Sequence, residues 1–196
     1  ISSLGLIELS PLTDGLLPRR ECLADPEVFG RQTPLTTASE EMTEFAHTQL
    51  VRGKTTRDKT LNLALAIHDY VAYQSGSTTV SDSAQAAFSA RKGVCQDHAH
   101  IMLACLRSCG YFARYVSGYR YSDKHPEFAS HAWVDVFDKQ LEQWISVDAT
   151  HRGLVEAEHC RIAVALDYTG AAPVRGVRRG GTGETMKVTV NLERVD

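Results

Sequence analysis

No apolar run among the 196 residues approaches the roughly 18 needed to span a bilayer, so no membrane partner is expected. A strong excess of either charge sign is missing as well. Lys and Arg number 21 against 24 Asp and Glu, and a net charge of −3 speaks against nucleic acid as a partner. Cysteine is sparse, five in all, an odd number without framework spacing. A disulfide scaffold is therefore disfavoured, and reduced thiols in a cytoplasmic compartment are the expectation. Internal repeats and low-complexity tracts are not found either. What remains is 43% hydrophobic and 23% charged, the composition of an ordinary globular protein of one or two domains. The first residue is Ile1 rather than Met, which points to a fragment or a processed form and leaves a leader upstream open.

Turn signals at Ser10-Pro11, Asp14-Gly15, Asp25-Pro26 and Thr33-Pro34 mark residues 1–36 as an extended N-terminal segment. It reads as the tail of an upstream domain or as a wrap around the core. From Thr37 the pattern turns helical. Thr37 or Ser39 can cap a helix from Glu40 to about Val51, with acids in its first turn. A second helix is predicted over about 58–73, with Leu61, Leu65 and Tyr70 on its apolar face. A short third, over about 83–90, follows a Ser81 or Asp82 cap. The fourth runs from Cys95 to Cys109 and stops at Gly110, a left-handed terminator.

After Gly110 the period becomes strand-like, with candidate strands over 112–121, 131–137, 143–148 and 161–166. Residues 173–184, with four glycines and three arginines, read as a loop, solvated or anion-binding, and 185–195 as a final strand. Helices first and strands afterwards predict an α+β fold, helices packed on an antiparallel β-sheet.

Three residues at element ends suggest chemistry. Cys95 opens the fourth helix, His131 opens the run His131-Ala132-Trp133-Val134-Asp135-Val136, and Asp148 closes Trp144-Ile145-Ser146-Val147-Asp148. A thiol, an imidazole and a carboxylate are a nucleophile, its base and the base's orienter. Unpaired N–H groups at a helix N-terminus favour a thiolate, so the position predicts a lowered thiol pKa, opposed in part by Asp97. Gly93 permits a sharp entry and leaves room for a substrate carbonyl. A hairpin centred between Lys139 and Gln140 would make His131 and Asp148 direct cross-strand neighbours.

Other clusters suggest less. Cys95, His98 and His100 invite a metal, yet two histidines two apart on a helix diverge, and Cys105 with Cys109 lacks a second ligand pair. No metal or organic cofactor is implied. His98 is expected to line the cleft or to pack beside the nucleophile, and Trp133, on the face of His131, is expected as an imidazole shield, cleft wall or plain core. The loop Ser122–Ser130, with His125-Pro126, is a candidate substrate rim.

Gly93-Val94-Cys95-Gln96-Asp97-His98-Ala99, Ala113-Arg114-Tyr115-Val116-Ser117-Gly118-Tyr119 and Ser130-His131-Ala132-Trp133-Val134-Asp135 resemble the bacterial transglutaminase-like superfamily. Its members are often described as candidate cysteine proteases. The resemblance extends from about Thr37 to the C-terminus, through Asp167-Tyr168 and Pro173-Val174-Arg175-Gly176-Val177. It implies a papain-like α+β core over residues 37–196, with Cys95, His131 and Asp148 as catalytic triad. It also implies that residues 1–36 are part of a β-rich N-terminal region. Ala149 departs from the family's Asp-Pro-Thr motif, while Asp148 and Thr150 keep the rest. Tyr73 matches the region upstream of the nucleophile and is a candidate oxyanion donor beside the Cys95 N–H, with Gln96 as a weaker one.

Together these features predict a thiol enzyme that forms a thioester with a peptide, protein or other amide substrate. Water as acceptor gives a peptidase or amidase; an amine gives a transglutaminase-type transamidase. Acyl transfer from a thioester donor and a non-catalytic peptide-binding module remain the alternatives.

Overall fold

Side-chain caps set where each helix begins in the computed structural model, which describes residues 5–19, 24–122, 130–172, 180, 190 and 192. Ser39 accepts the Met42 N–H at 3.3 Å and opens α1 (Glu40–Leu50). Thr55 and Asp58 form a reciprocal capping box at the start of α2 (Thr56–Tyr70), slightly ahead of the expected start. That helix also stops earlier than its apolar pattern suggests. The chain turns extended at Val71 so that β1 (Ala72–Tyr73) can pair in parallel with β2 (Lys92–Gly93). Ser83, not Ser81 or Asp82, caps α3 (Ala84–Ala90), because the Asp82 carboxylate is already engaged by the Thr79 N–H and hydroxyl.

Helix α4 (Cys95–Ser108) ends as expected at Gly110, whose φ of +78° is the left-handed conformation. The Tyr111 N–H reaches Leu106 O and the Gly110 N–H reaches Arg107 O, satisfying carbonyls that the helix leaves open. Next come β3 (Ala113–Arg120), β4 (Ser130–Asp138), β5 (Gln143–Asp148), β6 (Gly153–Leu154), β7 (His159–Ala165) and a short α5 (Tyr168–Ala171). The five strands form one antiparallel sheet in the order β6-β5-β4-β3-β7. Residues 123–129, 173–179 and 181–189 lie outside the described residues. So do most of the candidate rim, the Gly/Arg loop and the candidate final strand.

Alternation along β4 divides the sheet's side chains between two cores. Val134 and Val136 face Ile101, Met102 and Leu106 of α4, and α1, α2 and α3 close around that helix. Each fully buried aliphatic side chain there contributes roughly 1.5–3 kcal/mol. On the opposite face Trp133 and Trp144 are fully buried around Asp135, which is paired with Arg114 at 2.8 Å and with Arg161 at 2.9 Å. The N-terminal segment covers this face. The Leu17 N–H donates to Trp144 O at 2.9 Å, and Phe29 meets the Trp144 ring edge-on at 5.6 Å. Among the described residues no helix is long and apolar enough to cross a membrane.

Candidate active site

Cys95 is the first residue of α4, and Asp97 anchors that helix start. Its Oδ2 accepts the Val94 N–H at 2.7 Å and the Thr78 hydroxyl at 2.6 Å. Gly93 is required by this contact. A Cβ there would lie 2.6 Å from the Asp97 Cβ, so the side chain of Asp97, rather than a substrate carbonyl, claims the space. The Cys95 sulfur faces the backbone of Ala132, the residue after His131, and that of Gln96. Burial pushes its thiol up to about 11, with Asp148 and Asp97 adding to the rise against the pull of those two backbone groups. The helix-terminus effect expected from sequence is therefore outweighed: the resting group is a thiol.

His131 is the second residue of β4, and its Nε2 lies 2.7 Å from Asp148 Oδ2 at the end of β5. The two do meet, but not in the expected register. The ladder pairs Val134 with Val147 and Asp135 with Ser146, a shift of two residues. The cause is the turn. Residues 139–142 form a four-residue loop, in which Asp138 Oδ1 accepts the N–H groups of Gln140 at 2.8 Å and Leu141 at 3.0 Å, and Glu142 has a φ of +53°. An even shift keeps every side chain on its own face, so the imidazole and carboxylate join diagonally instead of directly.

Two further imidazoles, which sequence reasoning missed, converge on the same oxygen. His151 Nδ1 lies 2.7 Å and His159 Nε2 3.0 Å from Asp148 Oδ2, while Oδ1 accepts the N–H groups of Thr150 at 2.9 Å and His151 at 3.2 Å. The Glu156 N–H can only donate, and it does so to His159 Nδ1 at 3.3 Å, so neutral His159 carries its proton on Nε2. The same logic puts the proton of His131 on Nε2 and leaves Nδ1 free as a base. Burial raises the Asp148 carboxyl, but the His131 charge and the three imidazole hydrogen bonds outweigh it and hold Asp148 well below the usual carboxylate range. Burial lowers His131, Asp148 opposes this, and His151 and His159 lower it further; the net direction is down.

The resting pair is thus thiol and neutral imidazole, and among the described residues no hydrogen bond joins Cys95 to His131. Iodoacetamide is expected to alkylate Cys95 more slowly than a free cysteine at pH 7–8, with a rate still climbing above pH 9. Fast, pH-independent alkylation below pH 7, read by mass spectrometry, would mean a preformed thiolate–imidazolium pair instead.

A cleft of about 300 Å³ opens beside the imidazole, lined by Tyr73, Arg120, Ser122, Ser130, His131, Thr150 and His151. Both ends of the expected rim loop, Ser122 and Ser130, border it. The half-exposed Tyr73 lies close enough to Cys95 that, after burial, the thiolate charge is the next cause raising its phenol. Gln96 is directed elsewhere, its amide donating to Val80 O at 3.3 Å. His98 is a buried tie: with Nε2 3.0 Å from Val71 O and Nδ1 3.1 Å from Thr150 Oγ1, it holds the chain leaving Asp148. Burial pulls it down to about 4, so it stays neutral. Trp133 stacks on His131 at 6.0 Å and is core, not a cleft wall. His100 is buried away from the cleft, where Nε2 accepts the Tyr168 N–H at 3.1 Å.

A family model described as the transglutaminase-like superfamily matches residues 43–149. An uncharacterized protein of Mycobacterium tuberculosis is 37% identical over 126 residues, 59% of this chain. One of Mycobacterium leprae is 34% identical over 129 residues, 63% of this chain. The matched stretches span only 40% and 45% of those curated relatives. Among solved structures, a candidate cysteine protease from Cytophaga hutchinsonii aligns with a TM-score of 0.66 at 27% identity, covering 81% of this chain and 53% of that one. The periplasmic domain of TgpA from Pseudomonas aeruginosa aligns with a TM-score of 0.51 at 23% identity, covering 67% and 50%, a likeness of fold alone.

Proposed function

The chain belongs to the transglutaminase-like superfamily, and on that footing we propose that it is a cysteine peptidase or amidase working through Cys95, His131 and Asp148. The observation that carries this reading is the 2.7 Å His131–Asp148 bond beside a thiol that opens a buried helix. His131 Nδ1 takes the proton as the Cys95 sulfur attacks the amide carbonyl, so no resting ion pair is needed. The imidazolium that forms is stabilised by the ionised Asp148. Proton return to the leaving amine yields a thioester, which water cleaves with His131 again as base. The acceptor is water because it reaches the cleft without a site of its own; an amine in its place would give transamidation from the same intermediate.

The tetrahedral oxyanion needs donors. The Cys95 N–H, which has no intrahelical partner at its position, is one, and the Tyr73 hydroxyl is the other. Peptide-library turnover with and without added amines, against a Cys95→Ser control, tests the reading. In that assay Tyr73→Phe is expected to lower kcat by about 100-fold. Unchanged turnover would remove Tyr73 from the mechanism.

A further inference from the structure

His131, Asp148 and His151 present two imidazole nitrogens and a carboxylate oxygen to one another, with His159 behind them, and all four donor atoms lie within 4.8 Å. His131 and His151 line the cleft, and the His151 side chain is 39% exposed, so the group is reachable from solvent. The carboxylate is held from behind. The Thr150 and His151 N–H groups fix Oδ1, and His159, its tautomer set by the Glu156 N–H, donates to Oδ2. Outer partners of this kind orient the ligands of a metal.

We propose that His131 Nε2, His151 Nδ1 and Asp148 Oδ2 form a binding site for a divalent transition ion of the zinc type, which blocks the catalytic base reversibly when occupied. Its inhibitory part rests on the catalytic reading above; its binding part stands alone. Imidazole donors select zinc-like ions over magnesium or calcium. Bonds of about 2.0–2.2 Å in a tetrahedral site place donors about 3.3 Å apart, so each imidazole must move out from its present 2.7 Å by about half an ångström. Water from the cleft completes the coordination. Binding through these atoms moves the proton of neutral His131 from Nε2 to Nδ1 and that of neutral His151 from Nδ1 to Nε2. His131 Nδ1 then carries a proton and cannot accept one from Cys95.

Titrating Co²⁺ into the folded protein, followed by visible absorption and then Zn²⁺ competition, tests the site. Saturable one-to-one binding is expected in the wild type and in Cys95→Ala, and none in His151→Ala. His159→Phe should weaken binding about 10- to 100-fold, with His159→Gln, which can still donate, nearer the wild type. Zn²⁺ should stop turnover and EDTA restore it. No saturable binding in the wild type, or a sulfur-to-cobalt band that vanishes in Cys95→Ala, would overturn the site. His151-dependent binding by a protein that turns over no amide would leave the site in place and remove the catalytic reading.

Discussion

Asp148→Asn is expected to lower turnover by about 10⁴-fold. The reason is a donor count. Asp148 accepts five N–H groups, three from imidazoles on Oδ2 and two from backbone on Oδ1. An asparagine replaces one acceptor oxygen with an NH₂ group, so one half of that arrangement must confront donor with donor. With the NH₂ toward the imidazoles, His131 is driven to the tautomer that carries its proton on Nδ1, where it is no base for Cys95. With the NH₂ toward the backbone, the turn through Thr150 and His151 loses its anchor. Either way the buried negative charge that stabilises the imidazolium is gone. A purified Asp148→Asn protein whose kcat stays within tenfold of the wild type would contradict this role for the carboxylate.

The second large effect concerns stability. Asp135 is fully buried, and it pairs with both Arg114 and Arg161 while also accepting the Ser146 hydroxyl. Asp135→Ala leaves both guanidinium groups without a counter-charge. Arg161, with its side chain 20% exposed, can turn toward water, but Arg114, at 4%, cannot. The expected loss is roughly 3–5 kcal/mol, which for a chain of this size lowers Tm by roughly 10 °C or more in thermal unfolding followed by circular dichroism. Burial raises the Asp135 carboxyl, but Arg161 and Arg114 outweigh it and leave it lowered. A carboxyl depressed in the folded state contributes fully above its unfolded value of about 3.9, and the contribution is lost as pH falls through the folded value. The gap between wild type and variant should therefore be widest near neutral pH and narrow in acid. A gap below about 1 kcal/mol at pH 7 would mean that both arginines find other partners.

Local signals made much of the architecture readable. The Ser39 cap and the Gly110 terminator act within a few residues, so their helix ends could be placed from sequence alone. Alternation did the same for β4 and β5, and so placed His131 and Asp148 at adjoining strand ends. The register could not be read, because it depends on Asp138 closing a four-residue loop, and alternation is blind to an even shift. His151 had a faint signal: a carboxylate that starts a turn brings back the residue three positions on. His159 had none, since it reaches Asp148 from β7, two strands beyond β4 in the sheet order. The thiol shows the same limit. A helix N-terminus is visible in sequence, but the burial and the Asp148 charge that outweigh it are products of packing.

The most direct test of Cys95 as the acyl carrier is intact-mass analysis of acid-quenched protein shortly after mixing with an activated acyl ester. A single added acyl group is expected, labile to hydroxylamine and mapping to the peptide that contains Cys95. It should be absent from Cys95→Ala and strongly slowed in His131→Ala. An adduct that forms at the same rate in His131→Ala, or that maps to another residue while substrate is consumed, would contradict it.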